Sequence, residues 1–260
     1  MPPPEPNTSM ESNMSRILGV IGAGAVGQTV ARLAILGGWQ VVLSNSRGPQ
    51  SLADQVARLG PRARAATSTE AAAVGDIVVA ATPLIAHTRL PQRELAGKVV
   101  IDTMNYTVER DGHLPELDSN ELTSSGMVQR HLADSRVVKA FNNITTDHLA
   151  ALPRPKGVTA RTALPIAGDD TGAKKEAEAL LDDLGFDAVD VGGLEESWRF
   201  GPNTALYALV YAGEEMPEGL HGSEVLQWFL GTPGGPVSAA QVARLAAEAV
   251  RGRADVFFDV

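Results

Sequence analysis

The sequence contains no cysteine among its 260 residues. This absence excludes a disulfide framework, a thiol nucleophile, a thiolate zinc site and a cysteine-ligated iron–sulfur cluster. Redox chemistry in this chain therefore requires a bound cofactor. Basic residues are also scarce, with 22 Lys and Arg against 31 Asp and Glu, for a net charge of −9. That balance disfavours nucleic acid as a partner, because binding to phosphate backbones needs a basic face.

Long apolar runs are missing as well. No stretch approaches the roughly 18 apolar residues of a membrane-spanning helix, and the N-terminus lacks the pattern of a signal peptide. We therefore expect no membrane association and a cytoplasmic location. Residues 1–15 are polar and rich in proline, which predicts a disordered tail. The five histidines show no metal-ligand spacing, so no metal site is predicted.

What the chain does contain is a regular alternation of short apolar runs and helical patterns. Strands are predicted at residues 17–21, 41–43, 77–81, 99–101 and 137–141. Helical patterns lie between them, at 28–36, 51–59, 88–95 and 121–132. This order predicts an α/β fold, a Rossmann-type doubly wound parallel sheet with a small C-terminal α/β extension.

Pro153 and Pro155 indicate a boundary in the chain. We predict a Rossmann domain that binds the dinucleotide over residues 16–151, and a smaller C-terminal domain over 152–260 that contacts the second substrate. Gly and Pro residues predict an irregular connection at 216–237, before a final helix at 238–250. The alternative is that later segments extend the main sheet: 163–167, 173–184 and 188–191.

A glycine-rich segment follows the first predicted strand: Gly22-Ala23-Gly24-Ala25-Val26-Gly27. In this G-x-G-x-x-G pattern Gly22 permits a tight turn, Gly24 lets the backbone approach a pyrophosphate, and Gly27 allows close packing of helix on strand. Because a helical pattern opens directly afterwards, its N-terminal N–H groups would face a bound diphosphate. The alternative is an ordinary glycine-rich turn with no ligand.

The segment after the second strand indicates which dinucleotide binds. NAD sites place an Asp or Glu there, whereas this chain has Ser44-Asn45-Ser46-Arg47-Gly48 and no carboxylate before Asp54. A guanidinium with neighbouring polar side chains suits the 2′-phosphate of NADP, and a charge-assisted contact is worth about 1.5–3 kcal/mol. We therefore predict Asn45, Ser46 and Arg47 as NADP(H)-binding residues. A solvated polar turn is the alternative.

Longer blocks of the sequence are more specific than the glycine motif. They are residues 21–27 (IGAGAVG), 44–49 (SNSRGP), 102–106 (DTMNY), 139–143 (KAFNN), 165–170 (PIAGDD) and 198–200 (WRF). Together they resemble the F420-dependent NADP oxidoreductase family. The resemblance implies a Rossmann domain with a small C-terminal part, hydride transfer between NADPH and the deazaflavin coenzyme F420, and a homodimer.

The resemblance also implies roles for individual residues. Residues 23–26 would hold the diphosphate, and Ser46 with Arg47 the 2′-phosphate. Loops after later strands would line the middle of the cofactor and the nicotinamide, with contacts from Thr82, Pro83, Asn105, Asn142, Asn143 and Thr146. For Asn142 and Asn143, a role as a cap for the following segment is an equal alternative. No side chain is predicted to be catalytic, because the two cofactors carry the hydride chemistry.

Two other functions remain open from the sequence. The chain departs from the family pattern at Gly193 and at residues 204–207, where a second substrate would sit. One alternative is an NADPH-dependent reductase of a small carbonyl or imine, with Tyr207 or His148 as proton donor. The other is an NADP(H) sensor without catalysis. Trp198 and Arg199 offer a stacking face and a charge to an anionic substrate, or Trp198 simply packs in the core.

Overall fold

The computed structural model describes residues 16–221 and 223–254, so the predicted disordered tail at 1–15 lies outside the described part. The strands are β1 (Ile17–Ile21), β2 (Gln40–Ser44), β3 (Ala63–Ala65), β4 (Ile77–Ala80), β5 (Val99–Asp102), β6 (Arg136–Lys139), β7 (Ala163–Gly168) and β8 (Asp187–Asp190). The helices are α1 (Ala25–Leu36), α2 (Ala53–Leu59), α3 (Ser68–Val74), α4 (Gln92–Leu95), α5 (Val108–Asp111), α6 (Pro115–Asp118), α7 (Ser124–His131), α8 (Thr146–Ala151), α9 (Thr171–Asp183), α10 (Ser223–Gly231) and α11 (Ala239–Glu248). Short 3-10 turns add Pro49–Leu52, Leu84–Arg89, Leu194–Phe200 and Leu209–Tyr211.

The described strands join one sheet in the order β3-β2-β1-β4-β5-β6-β7-β8. Strands β1 to β6 are parallel, β7 pairs antiparallel with β6, and β8 is parallel to β7. The predicted doubly wound α/β fold is confirmed. The boundary predicted after residue 151 coincides with the end of α8, while β7 and β8 extend the same sheet. The division of the chain into two domains stays a prediction.

The central strands are apolar because both of their faces are covered. In β4, Ile77 and Val79 pack into one core cluster, whereas Val78 and Ala80 pack into the cluster on the opposite face. All four side chains are buried, as expected for a parallel strand between two helix layers. The carboxyl ends of β1, β4, β5 and β6 therefore meet at one edge of the sheet, where the order of strands reverses beside β1 and ligands bind in such folds.

Several elements differ from the predicted ones. Strand β3 and helix α3 were not predicted, although Thr67 and Glu70 form a capping box at the start of α3. The connection predicted as irregular at 216–237 contains helix α10, so that prediction was wrong over residues 223–231. Its Phe229 packs with Ala208 and Ala212, a tertiary contact that offsets the Gly and Pro residues around the helix.

The C-terminal helix follows the prediction closely. Ser238 caps α11 and accepts a hydrogen bond from the Gln241 N–H at 3.2 Å. At the other end of the extension, Asp170 caps α9 and accepts from the Ala173 N–H at 2.6 Å. Across residues 16–221 and 223–254, none of the helices combines the length and apolarity that a membrane crossing demands.

Candidate functional site

The glycine turn after β1 brings helix α1 against the end of the strand. Gly22 adopts a φ of +111°, and a Cβ there would lie 2.1 Å from the Ala81 carbonyl oxygen. A Cβ on Gly27 would lie 1.9 Å from the Gly22 carbonyl oxygen. Both positions therefore require glycine for steric reasons, whether or not a ligand binds.

Gly24 is different, because a Cβ at this position would meet no atom within 4 Å. It is the N-cap of α1, has an extended backbone and carries no side-chain cap, so the first N–H groups of the helix are not covered by a side chain. The open space in front of these donors fits an anionic diphosphate. With Gly24, the predicted contacts Ala23, Ala25 and Val26 lie at this helix start.

The loop after β2 is ordered by its own polar side chains. Asn45 Nδ2 donates to Ser51 Oγ at 2.8 Å, and the Arg47 N–H donates to Asn45 Oδ1 at 2.9 Å. Ser46 and Arg47 are exposed, and the Arg47 guanidinium makes no hydrogen bond or ion pair with any residue of the described part. The loop therefore presents an unneutralised cation beside the glycine turn, since Ile21 and Ser44 are paired neighbours in the sheet.

The loops after β4 and β5 meet at the next position along the sheet edge. Thr82 Oγ1 lies 3.5 Å from Met104 Sδ, and Pro83 starts the 3-10 turn 84–89. Asn105 follows β5, and its Nδ2 donates to the Asn142 carbonyl oxygen at 2.8 Å. Thr82, Asn105 and Asn142, three of the predicted cofactor contacts, thus lie along one crevice.

The two asparagines after β6 fasten the C-terminal part of the chain to this crevice. Asn142 Nδ2 donates to Asn105 Oδ1 at 3.1 Å and to the Phe200 carbonyl oxygen at 3.0 Å. Asn143 Nδ2 donates to the Leu206 carbonyl oxygen and to Tyr211 Oη, at 2.9 and 2.8 Å. Both side chains therefore act as structural links. A cofactor contact for them stays a prediction.

The amide oxygens of the same two residues are less well satisfied. Asn142 Oδ1 and Asn143 Oδ1 are buried and have no hydrogen-bond partner among the described residues. A buried acceptor without a donor costs about 1–3 kcal/mol unless a ligand or water supplies one. The carboxamide N–H of a nicotinamide would suit Asn142 Oδ1, which is next to Asn105.

Thr146 and His148 lie on α8, farther along the chain. Thr146 is the half-buried first residue of the helix, after Thr145 as N-cap. His148 packs edge-on against Phe229, with ring centroids 5.0 Å apart, and its Nε2 lies 3.3 Å from the Thr232 carbonyl oxygen. These contacts bury His148 beneath α10 and engage its Nε2, so it is a poor candidate for the proton donor.

Tyr207 is the remaining candidate for that role. Its hydroxyl lies 3.4 Å from Asn105 Nδ2. Arg110 donates to the Asn105 carbonyl oxygen from the other side. Burial raises the pKa of the Tyr207 phenol, against a smaller opposing effect of the Arg110 charge. The phenol is therefore protonated at neutral pH and lies at the edge of the crevice.

A buried ion pair that sequence reasoning missed lies below these loops. Lys139 Nζ is 3.2 Å from Asp102 Oδ2 and also donates to the Met104 carbonyl oxygen. Ser125 Oγ donates to the same carboxylate oxygen at 2.7 Å. Burial lowers the pKa of Lys139, and the adjacent Asp102 charge partly offsets this. The sequence offers one indication of this pair, because both residues lie at the carboxyl ends of apolar strands. The sheet register pairs them directly.

Trp198 and Arg199 form a stack, although Arg199 is not available to a ligand tail. The Arg199 guanidinium lies 4.7 Å from the Trp198 ring centroid, binds the Glu196 carboxylate and donates to the Ala246 carbonyl oxygen at 3.0 Å. Among the described residues, no group of three His, Asp or Glu side chains is arranged to hold a metal ion.

Part of the chain is similar in sequence to a known protein family. Residues 17–106 match the model of a family described as NADP oxidoreductase, coenzyme F420-dependent. The matched part contains the glycine turn and the Arg47 loop and ends just past Asn105. The resemblance inferred from the sequence blocks is thereby confirmed for this part of the chain.

Curated relatives match over shorter stretches. The F420-dependent NADP reductase of Methanocaldococcus jannaschii is 30% identical over 134 residues, which cover 49% of this chain and 58% of the relative. The protein YjhV of Escherichia coli K12 is 42% identical over 53 residues, which cover 20% of this chain and 39% of the relative. The chain thus spans less than two thirds of the length of either relative.

A crystal structure is similar over a larger part of the fold. It is that of a hypothetical protein from Sinorhizobium meliloti, with a TM-score of 0.66 and 29% identity, covering 75% of this chain and 94% of that one. Sequence similarity therefore relates residues 17–106 to an NADP-dependent oxidoreductase family, and the fold is shared with a protein described as hypothetical.

Proposed function

Because residues 17–106 match the F420-dependent NADP oxidoreductase family, we propose that this protein transfers a hydride between NADP(H) and coenzyme F420. The observation that carries the proposal is the glycine turn. Gly24 leaves open space at the start of α1, and Arg47 projects an unpaired guanidinium beside it. A diphosphate and a 2′-phosphate are the anions that these two features suit.

Selectivity for NADP(H) over NAD(H) follows from the same loop. An acidic residue after β2 would accept hydrogen bonds from the ribose hydroxyls of NAD and repel a 2′-phosphate. Here Asn45 orders the loop instead, and Arg47 supplies a positive charge. The binding preference for the phosphorylated cofactor should be tenfold or more, since a charge-assisted contact is worth roughly 1.5–3 kcal/mol.

Residues at the crevice would orient the two rings. Bound NADPH supplies the hydride, and reduction of F420 also consumes one proton. Asn105 and Asn142 hold each other in place, so that the unpartnered Asn142 Oδ1 can accept a hydrogen bond from the carboxamide. Fixing the rings near van der Waals contact is the main contribution that the protein makes to such a transfer. The homodimer implied by the resemblance belongs to the same proposal and is tested by light scattering.

A mixing experiment tests the proposed activity. Purified protein is combined with NADPH and F420, loss of the oxidised deazaflavin absorbance is followed, and NADH serves as the parallel control. We expect rapid loss with NADPH and little with NADH. NADPH binding without loss of absorbance would reject F420 as acceptor, and the absence of turnover with any acceptor would favour a sensor.

Reduction of a small carbonyl or imine is the second candidate, and Tyr207 is the observation that favours it. Its protonated hydroxyl lies next to Asn105 and can donate to the oxygen or nitrogen of the acceptor as hydride arrives. The ordinary pKa of a tyrosine is near 10. Because the pKa of Tyr207 is raised, its phenol stays protonated to higher pH, and turnover should fall only at strongly alkaline pH.

Substitution of this tyrosine separates the two candidates. With a carbonyl or imine acceptor, Tyr207→Phe should lower kcat by about a hundredfold and remove the alkaline limb of the pH profile, because the substitution removes the hydroxyl that would donate the proton. Binding of NADPH, measured by fluorescence titration, should be unchanged. Unchanged turnover of such an acceptor would exclude Tyr207 as its proton donor.

A further inference from the structure

A small pocket lies beside the cofactor crevice, at the place where β5 and β6 end. Its volume is about 80 Å³, and it is bounded by Asn105, Thr123, Trp198, Asn203 and the segment 251–254. A water molecule needs about 10–15 Å³ of space measured in this way, so a carboxylate or a phosphate group fits the pocket.

The charges around the pocket are all of one sign. Lys139, Arg251 and Arg253 line it, and no described carboxylate does, although the chain as a whole has a net charge of −9. The charge of Lys139 is neutralised by Asp102 at 3.2 Å. The cation of the pocket on which the argument depends is therefore Arg251.

Arg251 is held in place without an acidic partner. Its guanidinium lies 5.8 Å from the Trp198 ring centroid, and Nη2 is 3.4 Å from the Leu122 carbonyl oxygen. The charge of Glu196 acts on Arg251, yet the Glu196 carboxylate binds Arg199. Within the part of the chain that the structure describes, Arg251 forms no ion pair.

The surroundings of Arg251 favour a bound anion on energetic grounds. Arg251 is exposed overall, and partial burial of its guanidinium lowers the pKa of Arg251. An anionic ligand would supply a counter-charge to this guanidinium. Ser124 also lines the pocket, and its hydroxyl, which accepts a hydrogen bond from Lys139 Nζ at 3.3 Å, can donate one to such a ligand.

We propose that this pocket binds one anionic group of the second substrate, a carboxylate or a phosphate, with Arg251 as its counter-charge. The inference rests on the proposed function in placing a second substrate beside Asn105. Arg251 lies far outside the matched residues 17–106, so the family match does not supply this site.

Anion binding can be measured without turnover. Protein saturated with NADP⁺, which fills the cofactor's own phosphate sites, is titrated by calorimetry with inorganic phosphate and separately with acetate. We expect wild-type protein to bind at least one probe, and Arg251→Gln to bind it about tenfold more weakly, because a charge-assisted contact is lost. Arg244→Gln is the matched control, since Arg244 is exposed on α11 and pairs with Glu248 outside the pocket.

The outcomes distinguish the pocket from the proposed activity. Equal affinity of wild type and Arg251→Gln, or no binding of either probe by wild type, would overturn the inference. Phosphate binding alone supports a phosphorylated or phosphodiester substrate, and acetate binding supports a carboxylate. With F420 as acceptor, Arg251→Gln should raise the KM for F420 about tenfold and leave the KM for NADPH unchanged. Arg251-dependent anion binding without F420 reduction would reject the proposed function and retain the pocket.

Discussion

In the proposed function, the choice of cofactor depends on Arg47. Its backbone N–H is tied to Asn45 Oδ1, so the loop is shaped by hydrogen bonds within itself, while the guanidinium stays exposed. A local sequence could predict this arrangement, because Asn, Ser and Gly favour turns and the charge sits at a fixed offset from β2. For binding a 2′-phosphate, the freedom of the exposed Arg47 guanidinium to orient matters more than burial of its side chain.

Removal of this charge should affect one nucleotide only. Arg47→Ala should raise the KM for NADPH about tenfold and leave that for NADH nearly unchanged, since only the 2′-phosphate loses a partner. Steady-state kinetics with both nucleotides measures the effect. Arg58→Ala, which removes an exposed arginine from the end of nearby α2, is the control for loss of charge. Equal weakening of both nucleotides in Arg47→Ala would contradict the role.

Helix α1 combines two different uses of glycine in one turn. Gly22 and Gly27 are needed for the close approach of the turn to β4 and to itself, because Cβ atoms there would lie within 2.1 Å of carbonyl oxygens. Gly24 meets no such obstacle and leaves its side open to a ligand. The G-x-G-x-x-G spacing therefore serves packing at its two ends, and its middle glycine leaves the space that the proposed cofactor would occupy.

Because Gly24 and Gly22 have different roles, substitution of each should have a different effect on the protein. Gly24→Val should fold with nearly unchanged thermal stability and lose measurable binding of both NADPH and NADH, because the valine occupies the space in front of the helix start. Gly22→Val should instead destabilise the protein, since its φ of +111° and the Ala81 carbonyl oxygen both oppose a side chain. Thermal melts with nucleotide titration separate the two effects. A folded Gly24→Val that still binds NADPH would mean that the turn is purely structural.

Across the fold, the buried pair of Asp102 and Lys139 joins neighbouring parts of the site. It connects β5 with β6 and, through Ser124 and Ser125, the start of α7. The Lys139 contact with the Met104 carbonyl oxygen also fixes the loop that carries Asn105. The pair therefore supports the crevice from below without lining the predicted nicotinamide position.

Disrupting the ion pair between Asp102 and Lys139 should lower the stability of the protein. Lys139→Met should lower the free energy of unfolding by about 3–5 kcal/mol, because Asp102 would remain buried without its cation. Urea denaturation measures the loss. The double variant Asp102→Asn with Lys139→Met should recover much of it, since no unpaired charge is left in the core. A loss below about 1 kcal/mol in the single variant would contradict a buried ion pair of this kind.

The periodic apolar runs determined most of the α/β order in advance. Strands such as β1 and β4 are buried on both faces, and such strands need an unbroken run of apolar residues. The short elements β3 and α10 were missed for the opposite reason. Strand β3 has three partly exposed residues, and α10 lies in a segment rich in Gly and Pro.

The glycine turn and the Arg47 loop were also determined by the sequence alone, because each is a local motif whose backbone shape follows from neighbouring residues. The partners of Asn142, Asn143 and Tyr207, and the pocket around Arg251, depended on the tertiary structure. Some of these groups come from residues more than a hundred positions apart, such as Asn105 and Tyr207, or Leu122 and Arg251. Local patterns carry no information about which distant side chain shares a cavity, since that is decided by how the sheet and its C-terminal extension pack together.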